Sequence, residues 1–283
     1  MRYMIKKGLY VILMIIVSGG SLRAQIPEYR KITWTKERIA PGLFLKSSHA
    51  LIYDSMPQNI NVLFVNTRRR EASISYSPRK NTIVSIQASS SGALAAVNGG
   101  FFNIQSNGSV SYIRVNGLIT EPDTANTWNK RINMTGCILI GSDGKVVVER
   151  NMGNKWYDDH PEYKDVLVTG PLLIFKRKKE VLPETQLVSM KHPRTAAGTR
   201  GSRKLILITV DGRSDSSHGL TLYELTDLMK SLRIRNGVNL DGGGSTTMWI
   251  SGKPFNGVVN MPSDNRKFDH EGERPVANII IVR

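Results

Sequence analysis

The sequence predicts an α+β fold, in which a large mixed β-sheet core carries a few packed helices and includes a strand-helix-strand unit near the C-terminus. Short apolar runs separated by turn dipeptides recur along the chain, and a helical periodicity begins at Thr221. The 283 residues, 40% of them hydrophobic, can bury a sizeable core. These observations favour one large or two closely packed domains.

The N-terminal residues have the pattern of a secretory signal peptide. A basic start is followed by an apolar run over 8–17 and a small, polar stretch over 18–24, with an expected cut after Ala24. The apolar run is shorter than the roughly 20 residues that span a bilayer. No cysteine follows it, so we expect no stable membrane anchor. An exported protein, periplasmic or extracellular, is predicted.

The charge of the chain predicts anionic partners. The net charge is +16, and four of the positive residues (Arg2, Lys6, Lys7, Arg23) lie in the leader, which leaves +12. A basic exported protein favours phosphorylated glycans or cell-wall polymers. No helix-turn-helix, zinc-finger spacing or RNA-binding aromatic pair is present, so nucleic acid is not expected. Cys137 is the only cysteine, and we expect a buried thiol.

Turn dipeptides divide the first two thirds of the chain into strands. Asn116-Gly117 and Asp143-Gly144 tolerate the positive φ of tight hairpin turns, so each predicts a β-hairpin. The predicted strands are 51–53, 61–66, 72–76, 112–115, 118–120, 137–140, 145–148, 166–168 and 172–175. The segment 25–89 is therefore expected to be strand-rich and packed on the core.

The stretch Asn98-Gly99-Gly100 follows a small apolar run over 93–97. Two glycines allow the backbone to fold back, and an asparagine offers a donor and an acceptor suited to a sugar or a phosphate. A bulged turn held by Phe101 and Phe102 is the structural alternative. Both interpretations of Asn98 stay open from the sequence.

A strand, a helix and a second strand follow one another in the C-terminal third. The strand 204–210 ends at Asp211, and the strand 238–240 ends at Asp241. The helix between them presents one apolar face, formed by Leu222, Leu225, Leu228, Met229 and Leu232. Such crossovers join parallel strands, so both acids are expected at one edge of the sheet, where open α/β sheets place ligands.

Two residues near this helix have alternative roles. Thr221 and Glu224 fit a capping box, in which the Glu side chain bonds to the N-cap amide, and we favour that role although Glu224 could also face the site. His218 could act as a general acid or base, or as a polar contact.

The stretch 236–249, with Asp241 before three consecutive glycines, is the least ordinary part of the chain. Glycines are costly unless the backbone must turn sharply or approach another group, so a strained hairpin with a structural Asp is the alternative to a functional turn. Strands are expected over 245–251 and 276–282. Arg194 and Arg274 are candidate anion clamps.

Seven motifs together resemble the phosphodiester glycosidase family, in the expected order over roughly 90–283. They are AAVNGGFFN, TGPLLI, HPRTAAGT, ITVDGRS, GLTLYEL, VNLDGGGSTTMW and RPVANIIIV. The resemblance implies a catalytic domain over 90–283 that releases a sugar, with N-acetylglucosamine as the candidate, from a sugar 1-phosphodiester. It implies Asp241, Asp211 and Glu224 as catalytic residues. The expected substrate-binding residues are Asn98, Gly99, Gly100, Thr169, Gly170, Arg194, Thr195, His218, Gly243, Gly244, Ser245, Thr246 and Arg274.

The expected chemistry needs a carboxylate at the anomeric carbon and donors for the leaving phosphate. Asp241, or alternatively Asp211, supplies the first, and the amides of residues 242–245 are predicted to form an anion nest. No cofactor is certain. In a second interpretation Asp211, Asp241 and Glu224 bind Ca²⁺ or Mg²⁺ and the bond to phosphorus is cleaved. In a third, the protein binds a phosphoglycan without turnover.

Overall fold

The computed structural model describes residue 29 and residues 32–52, 55–77, 80–105, 107–121 and 133–283. The predicted signal peptide over 1–24 lies outside the described residues.

Strands make up most of the regular structure. In chain order they are β1 (Thr35–Ala40), β2 (Leu43–Ile52), β3 (Met56–Asn66), β4 (Ala72–Tyr76), β5 (Ala95–Asn98), β6 (Phe102–Asn103), β7 (Gly108–Ser109), β8 (Ile113–Val115), β9 (Leu118–Glu121), β10 (Gly136–Gly141), β11 (Val146–Arg150), β12 (Tyr163–Thr169), β13 (Leu172–Phe175), β14 (Lys178–Lys179), β15 (Arg194–Gly201), β16 (Lys204–Val210), β17 (Asn236–Asn239), β18 (Met248–Ile250) and β19 (Asn278–Val282). The α-helices in the described part are α1 (Val84–Ser90), α2 (Asn154–Asp158), α3 (Gln186–Ser189) and α4 (Leu222–Ser231). None of these helices is long and apolar enough to cross a bilayer.

The strands form three larger sheets and one two-stranded ribbon. The orders are β1-β2-β3-β16-β15-β17-β13-β14, β11-β10-β12-β8-β9 and β18-β5-β19-β4, with β6 and β7 as the ribbon. Neighbouring strands pair in the antiparallel sense, as in β15 with β16 and β15 with β17. The predicted α+β class is confirmed.

The sheets pack as two layers around the main core. One apolar cluster combines residues of the eight-stranded sheet, such as Leu63, with residues of the five-stranded and four-stranded sheets, such as Ile138 and Ile280. A second cluster covers the other face of the eight-stranded sheet with the apolar face of α4. Helix α1 packs on the outer face of the four-stranded sheet. The eight-stranded sheet is therefore covered on both faces.

Both predicted hairpins are confirmed. Strand β8 pairs with β9 and β10 pairs with β11. In the first turn, Asn116 has φ 50° and Gly117 has φ 81°, the conformation that an Asn-Gly turn supplies.

The strand-helix-strand unit consists of β16, α4 and β17. The two strands run in the same direction, because both are antiparallel to β15, but β15 lies between them. Asp211 and Asp241 therefore follow the ends of two strands at the same edge of the sheet, separated by one strand. Thr221 caps α4, and the capping box with Glu224 is complete.

Two predicted strands are shorter in the structure. Residues 243–245 form a 3₁₀ turn, so the strand expected from 245 begins at Met248. The last strand begins at Asn278 because Val276 makes only an isolated bridge to Thr82. Arg274 therefore lies in the preceding loop instead of at the start of a strand.

Candidate active site

Asp241 directly follows β17, and its backbone is fixed from the neighbouring sheet. Its amide donates to the carbonyl of Gly99 at 3.0 Å. Its carbonyl accepts from Nδ2 of Asn98 at 2.7 Å. Asn98 ends β5 and Gly99 follows it, so the carboxylate is placed where the eight-stranded and four-stranded sheets meet.

The Asn98 amide links three parts of the chain. Besides its bond to Asp241, Oδ1 accepts from the Thr195 hydroxyl at 2.7 Å and from the Thr247 amide at 3.1 Å. The residue is only 1% exposed. Asn98 therefore positions the Asp241 backbone. Its side-chain amide, a predicted sugar contact, makes its hydrogen bonds within the protein.

The glycine pair after Asn98 permits a close backbone approach. The Gly99 amide donates to the Asn278 carbonyl at 2.9 Å, and the Gly100 amide donates to Oδ1 of Asn278 at 2.6 Å. A Cβ at Gly99 would overlap that same oxygen. Both glycines therefore lock β5 to the start of β19 beneath the site.

The turn after Asp241 is packed against two guanidinium groups. Gly243 has φ +61°, in the region that favours glycine. A Cβ at Gly243 would lie 2.9 Å from Nη2 of Arg213, and one at Gly244 would lie 2.5 Å from Nη2 of Arg274. The glycines are thus needed to bring both arginines against the turn.

The two arginines differ in their partners. Arg274 donates from Nε to Oδ1 of Asp264 at 2.8 Å and forms an ion pair with it. Arg213 is exposed, and its guanidinium donates no hydrogen bond to any residue in the described part of the chain. Burial of part of the side chain and the charge of Arg274 lower the pKa of Arg213. Its donors are available for an anion.

Burial and neighbouring groups act in opposite directions on the pKa of the Asp241 carboxyl. Burial raises its pKa to about 6, against the lowering influence of Ser245, Arg274, the Gly242 amide and Arg213. The Gly242 amide donates to Oδ1 at 3.0 Å. At neutral pH the group is therefore mostly ionised yet poorly solvated, which suits a carboxylate that must accept a proton or stabilise a cation.

The predicted anion nest is not formed by most of the amides in the turn. The Gly242 amide bonds Asp241, the Gly243 amide donates to the Pro193 carbonyl at 2.9 Å, and the Ser245 amide donates to the Gly242 carbonyl at 3.2 Å. These amides are used to hold the turn. The cationic side of the site is supplied by side chains instead.

Asp211 lies at the same sheet edge but is enclosed. It is 0% exposed, and its carboxylate accepts from Nδ2 of Asn260 at 2.7 Å, from Nδ2 of Asn59 at 2.6 Å and from the Met261 amide at 3.0 Å. Burial raises its pKa to about 6 although these bonds lower it. Asp211 joins the loop at Asn260 to β3 and is not presented to a ligand.

The three-carboxylate metal site considered from the sequence does not assemble. In the described ranges, no group of three or more His, Cys, Asp or Glu side chains is placed to hold a metal ion. Asp211 binds amide donors, and Glu224 binds Thr221 and Lys191.

A comparison with known families agrees with this geometry. The model of the phosphodiester glycosidase family matches residues 91–283, the part of the chain that contains the Asp241 turn and both arginines. This chain belongs to the phosphodiester glycosidase family.

Relatives of this phosphodiester glycosidase include bacterial and mammalian proteins. An uncharacterized SPbeta prophage-derived protein of Bacillus subtilis is 29% identical over 207 residues, covering 69% of this chain and 28% of that protein. The mouse N-acetylglucosamine-1-phosphodiester alpha-N-acetylglucosaminidase is 26% identical over 181 residues, covering 62% of this chain and 30% of the enzyme. The chain thus spans about a third or less of these proteins.

A solved structure shares the fold. The catalytic domain of the zebrafish N-acetylglucosamine-1-phosphodiester alpha-N-acetylglucosaminidase, described as auto-inhibited by its pro-peptide, superposes with a TM-score of 0.69 at 20% identity. The match covers 88% of this chain and 86% of that domain. The family consists of hydrolases.

Two predicted site residues of this family member bond to other parts of the protein. Arg194 is 1% exposed and donates to the carbonyls of Leu220, Leu187 and Met190, so it does not offer its guanidinium to a phosphate. In Glu224, Oε2 accepts from the Thr221 amide and Oε1 pairs with Lys191. The favoured capping role of Glu224 is confirmed.

The remaining predicted residues lie around the base of the turn. Thr195 bonds Asn98, while Thr169 and Gly170 bond Asn239, two residues before Asp241. Ser245 and Thr246 are buried; the Ser245 hydroxyl lies near enough to the Asp241 carboxylate to lower its pKa, and the Thr246 hydroxyl has no hydrogen-bond partner among the described residues. His218 is exposed, and its backbone amide bonds Pro57.

Arg213 is the residue that the sequence interpretation missed. It has φ 62° and stands two residues after Asp211, in the motif that was read only for its acid. The left-handed region is uncommon for a non-glycine residue, but Arg233 and Arg266 also adopt it, so this conformation alone does not distinguish Arg213. That conformation cannot be read from one sequence among so many exposed basic residues.

Proposed function

We propose that this protein hydrolyses the bond between the anomeric carbon of a sugar and an oxygen of a phosphodiester, releasing free sugar and a phosphomonoester. One observation carries the proposal: a half-buried carboxylate with a raised pKa, Asp241, adjoins two guanidiniums, of which that of Arg213 donates no hydrogen bond to any described residue. A carboxylate serves the sugar and guanidiniums serve a phosphate.

The reaction assigns a separate task to each group. The oxygen of water bonds to the anomeric carbon while the bond from that carbon to the phosphate oxygen breaks, and the electron pair leaves with the phosphate. Asp241 stabilises the positive charge that develops on the sugar ring and accepts the proton of the water. Arg213 and Arg274 stabilise the departing phosphate. Phosphate is already a good leaving group, so a second acid is not required.

The proposed sugar is N-acetylglucosamine. Support comes from the name of the mouse relative, an N-acetylglucosamine-1-phosphodiester alpha-N-acetylglucosaminidase. The net charge of +12 outside the predicted leader also favours an anionic substrate.

We also propose that the protein is exported, since the first 24 residues carry the pattern of a secretory leader. Sequencing the N-terminus of the protein from the periplasm or the medium should give a chain that starts at Gln25. An intact leader on protein found in the cytoplasm would contradict this.

The decisive experiment follows an oxygen label. Protein lacking the leader is incubated in ¹⁸O water with a methyl phosphodiester of N-acetylglucosamine 1-phosphate, alongside Asp241→Ala. We expect the label in the free sugar with wild type and no product with the variant. Label in the phosphate would show cleavage at phosphorus, and labelled sugar from the variant would remove Asp241 from the mechanism. Circular dichroism of both proteins controls for folding.

A further inference from the structure

A second basic region lies at the opposite end of β16 from the Asp241 site. A cavity of about 370 Å³ opens there, and we call it the basic groove. Its principal lining side chains are Arg38, Phe44, Phe64, Arg69, Arg200 and Lys204. Lys204 begins β16 and Asp211 follows its end, so the groove and the edge that carries the active site are about 20 Å apart along the strand.

The strand register concentrates positive charge beside the groove. Lys36 of β1 is directly opposite Lys46 of β2, and Arg38 is directly opposite Phe44. Phe44 is in turn opposite Phe64 of β3. Like charges placed directly opposite one another destabilise a sheet. The fold therefore maintains an unfavourable pair at this position.

An aromatic ring holds two further cations in place. Nζ of Lys46 lies 5.3 Å from the centroid of the Phe64 ring, and the guanidinium carbon of Arg200 lies 5.2 Å from it. Burial and the charges of Lys36 and Arg200 lower the pKa of Lys46. Cation-π contacts offset part of this repulsion but leave the charge in place.

No acid balances these cations within the groove. The lining includes four cations, Arg38, Arg69, Arg200 and Lys204, and no carboxylate. Phe44 is 47% exposed beside them. These cations repel one another and have no acidic partner among the described lining residues. The groove therefore fits an anionic ligand.

We propose that the basic groove binds a phosphate-bearing glycan chain, namely the polymeric form of the substrate that the Asp241 site cleaves. The inference rests on the proposed function, since a polymer of sugar 1-phosphodiesters can reach both places at once. Its phosphates pair with Arg38, Arg69 and Lys204, and a sugar ring packs on exposed Phe44.

Two features favour this occupant over other polyanions. The groove is concave, and therefore suits a chain better than the flat surface of an anionic membrane. Lys46 and Arg200 already lie against the Phe64 ring, so this ring is less available for the base stacking that single-stranded nucleic acids use.

The test separates the groove from the active site. The double substitution Arg38→Gln/Lys204→Gln removes two of the four cations that line the groove, and thermal unfolding should show a midpoint close to that of the parent, because both side chains are exposed. The matched control, Lys155→Gln/Lys178→Gln, removes the same charge from two exposed lysines outside the groove lining.

Binding is measured by calorimetry in an Asp241→Asn background, so that the probe is not consumed. The probe is a synthetic oligomer of N-acetylglucosamine 1-phosphate in which each sugar is joined to the next through a phosphodiester. We expect the groove variant to bind it roughly tenfold more weakly than the control variant does. Equal binding by the two variants would overturn the proposal.

Further probes and kinetics complete the design. The same calorimetry is repeated with oligothymidylate of the same number of phosphates and with vesicles of anionic phospholipid. If either binds as tightly as the glycan, the assignment to a glycan is overturned. With Asp241 intact, the groove substitution should raise KM for the oligomer roughly tenfold and leave hydrolysis of the methyl phosphodiester unchanged. If wild type hydrolyses neither substrate, the proposed function fails, whereas the binding comparison still tests the groove.

Discussion

Asp211 and Asp241 follow strands that run in the same direction, and burial raises the pKa of each carboxyl to about 6. Their surroundings are nevertheless opposite. Asp211 is saturated by two asparagine amides and a backbone amide, whereas Asp241 accepts from its own turn and adjoins two arginines. A perturbed pKa therefore does not by itself distinguish the proposed catalytic acid. The arginines beside Asp241, which Asp211 lacks, make that distinction.

The largest expected difference between the two acids is in turnover. Asp241→Asn should lower kcat/KM by about 10²- to 10⁴-fold, because a group that acts in the transition state is removed. Asp211→Asn should leave the kcat/KM of the folded fraction within about threefold of wild type, since its carboxylate bonds only the scaffold. Steady-state assays on the sugar 1-phosphodiester decide this. The reverse ranking would exchange the two roles.

Arg213 should show the next largest effect. Arg213→Gln removes the guanidinium that donates no hydrogen bond within the described ranges and should lower kcat/KM by about 10²- to 10³-fold. Arg233→Gln is the matched control, because Arg233 is likewise exposed and has φ 57° but follows α4. A similar loss in both variants would show that the general positive field matters and that Arg213 has no specific role.

The stabilities should change in opposite directions at pH 7. Asp241→Asn should raise the free energy of unfolding by about 1–3 kcal/mol, because ionising this desolvated carboxyl opposes folding. Asp211→Asn should lower it by about 1–3 kcal/mol, since an amide NH₂ would face donors that the carboxylate now satisfies. Urea unfolding measures both. A loss of stability in both variants would mean that Asp241 is also structural.

The pH dependence of the free energy of unfolding tests whether folding raises the pKa of Asp241. Its pKa is about 6 when folded and 3.8 in the unfolded reference, so the folded state binds the proton more tightly. The resulting stability is fully present below about pH 4 and is lost as the pH rises through 6. The advantage of Asp241→Asn in urea unfolding should therefore shrink between pH 7 and pH 4. An advantage that grows toward low pH would contradict the raised pKa.

Glu224 should give the smallest effect. Glu224→Ala removes one half of the capping box and the pairing with Lys191, and should cost about 0.5–2 kcal/mol of stability with little change in kcat/KM. Glu224→Gln retains a capping acceptor and should recover most of that loss. A tenfold loss of turnover in a stable Glu224→Gln protein would instead make Glu224 catalytic.

Local patterns predicted the strands, turns and helix that surround the candidate site. The Asn116-Gly117 turn, the apolar face of α4 and the Thr221 cap each depend on neighbours within a few residues, and the structure confirms them. The placement of Asp211 and Asp241 at one sheet edge followed from the direction of their strands. The position of β15 between these two strands could not be predicted, because sheet order depends on pairings between distant segments.

The roles of individual side chains were harder to predict because they depend on remote partners. Asp211 is occupied by Asn59, which is 152 residues away in the chain, and by Asn260. Arg194 has the residue type of an anion clamp, yet carbonyls at the start of α4 and around α3 enclose it. Arg213 had no local pattern to distinguish it from other basic residues.

The hydrogen bonds of Asp211 also determine which parts of the neighbouring loop can change. It fixes Asn260 and Met261 at one end of a loop, and Arg274 against the glycine turn fixes the other end. Between these anchors, residues 265–267 are exposed, whereas Asp264 pairs with Arg274. Insertions and substitutions at these positions can therefore change the surface beside the glycine turn while both anchors, and with them the position of Asp241, stay in place.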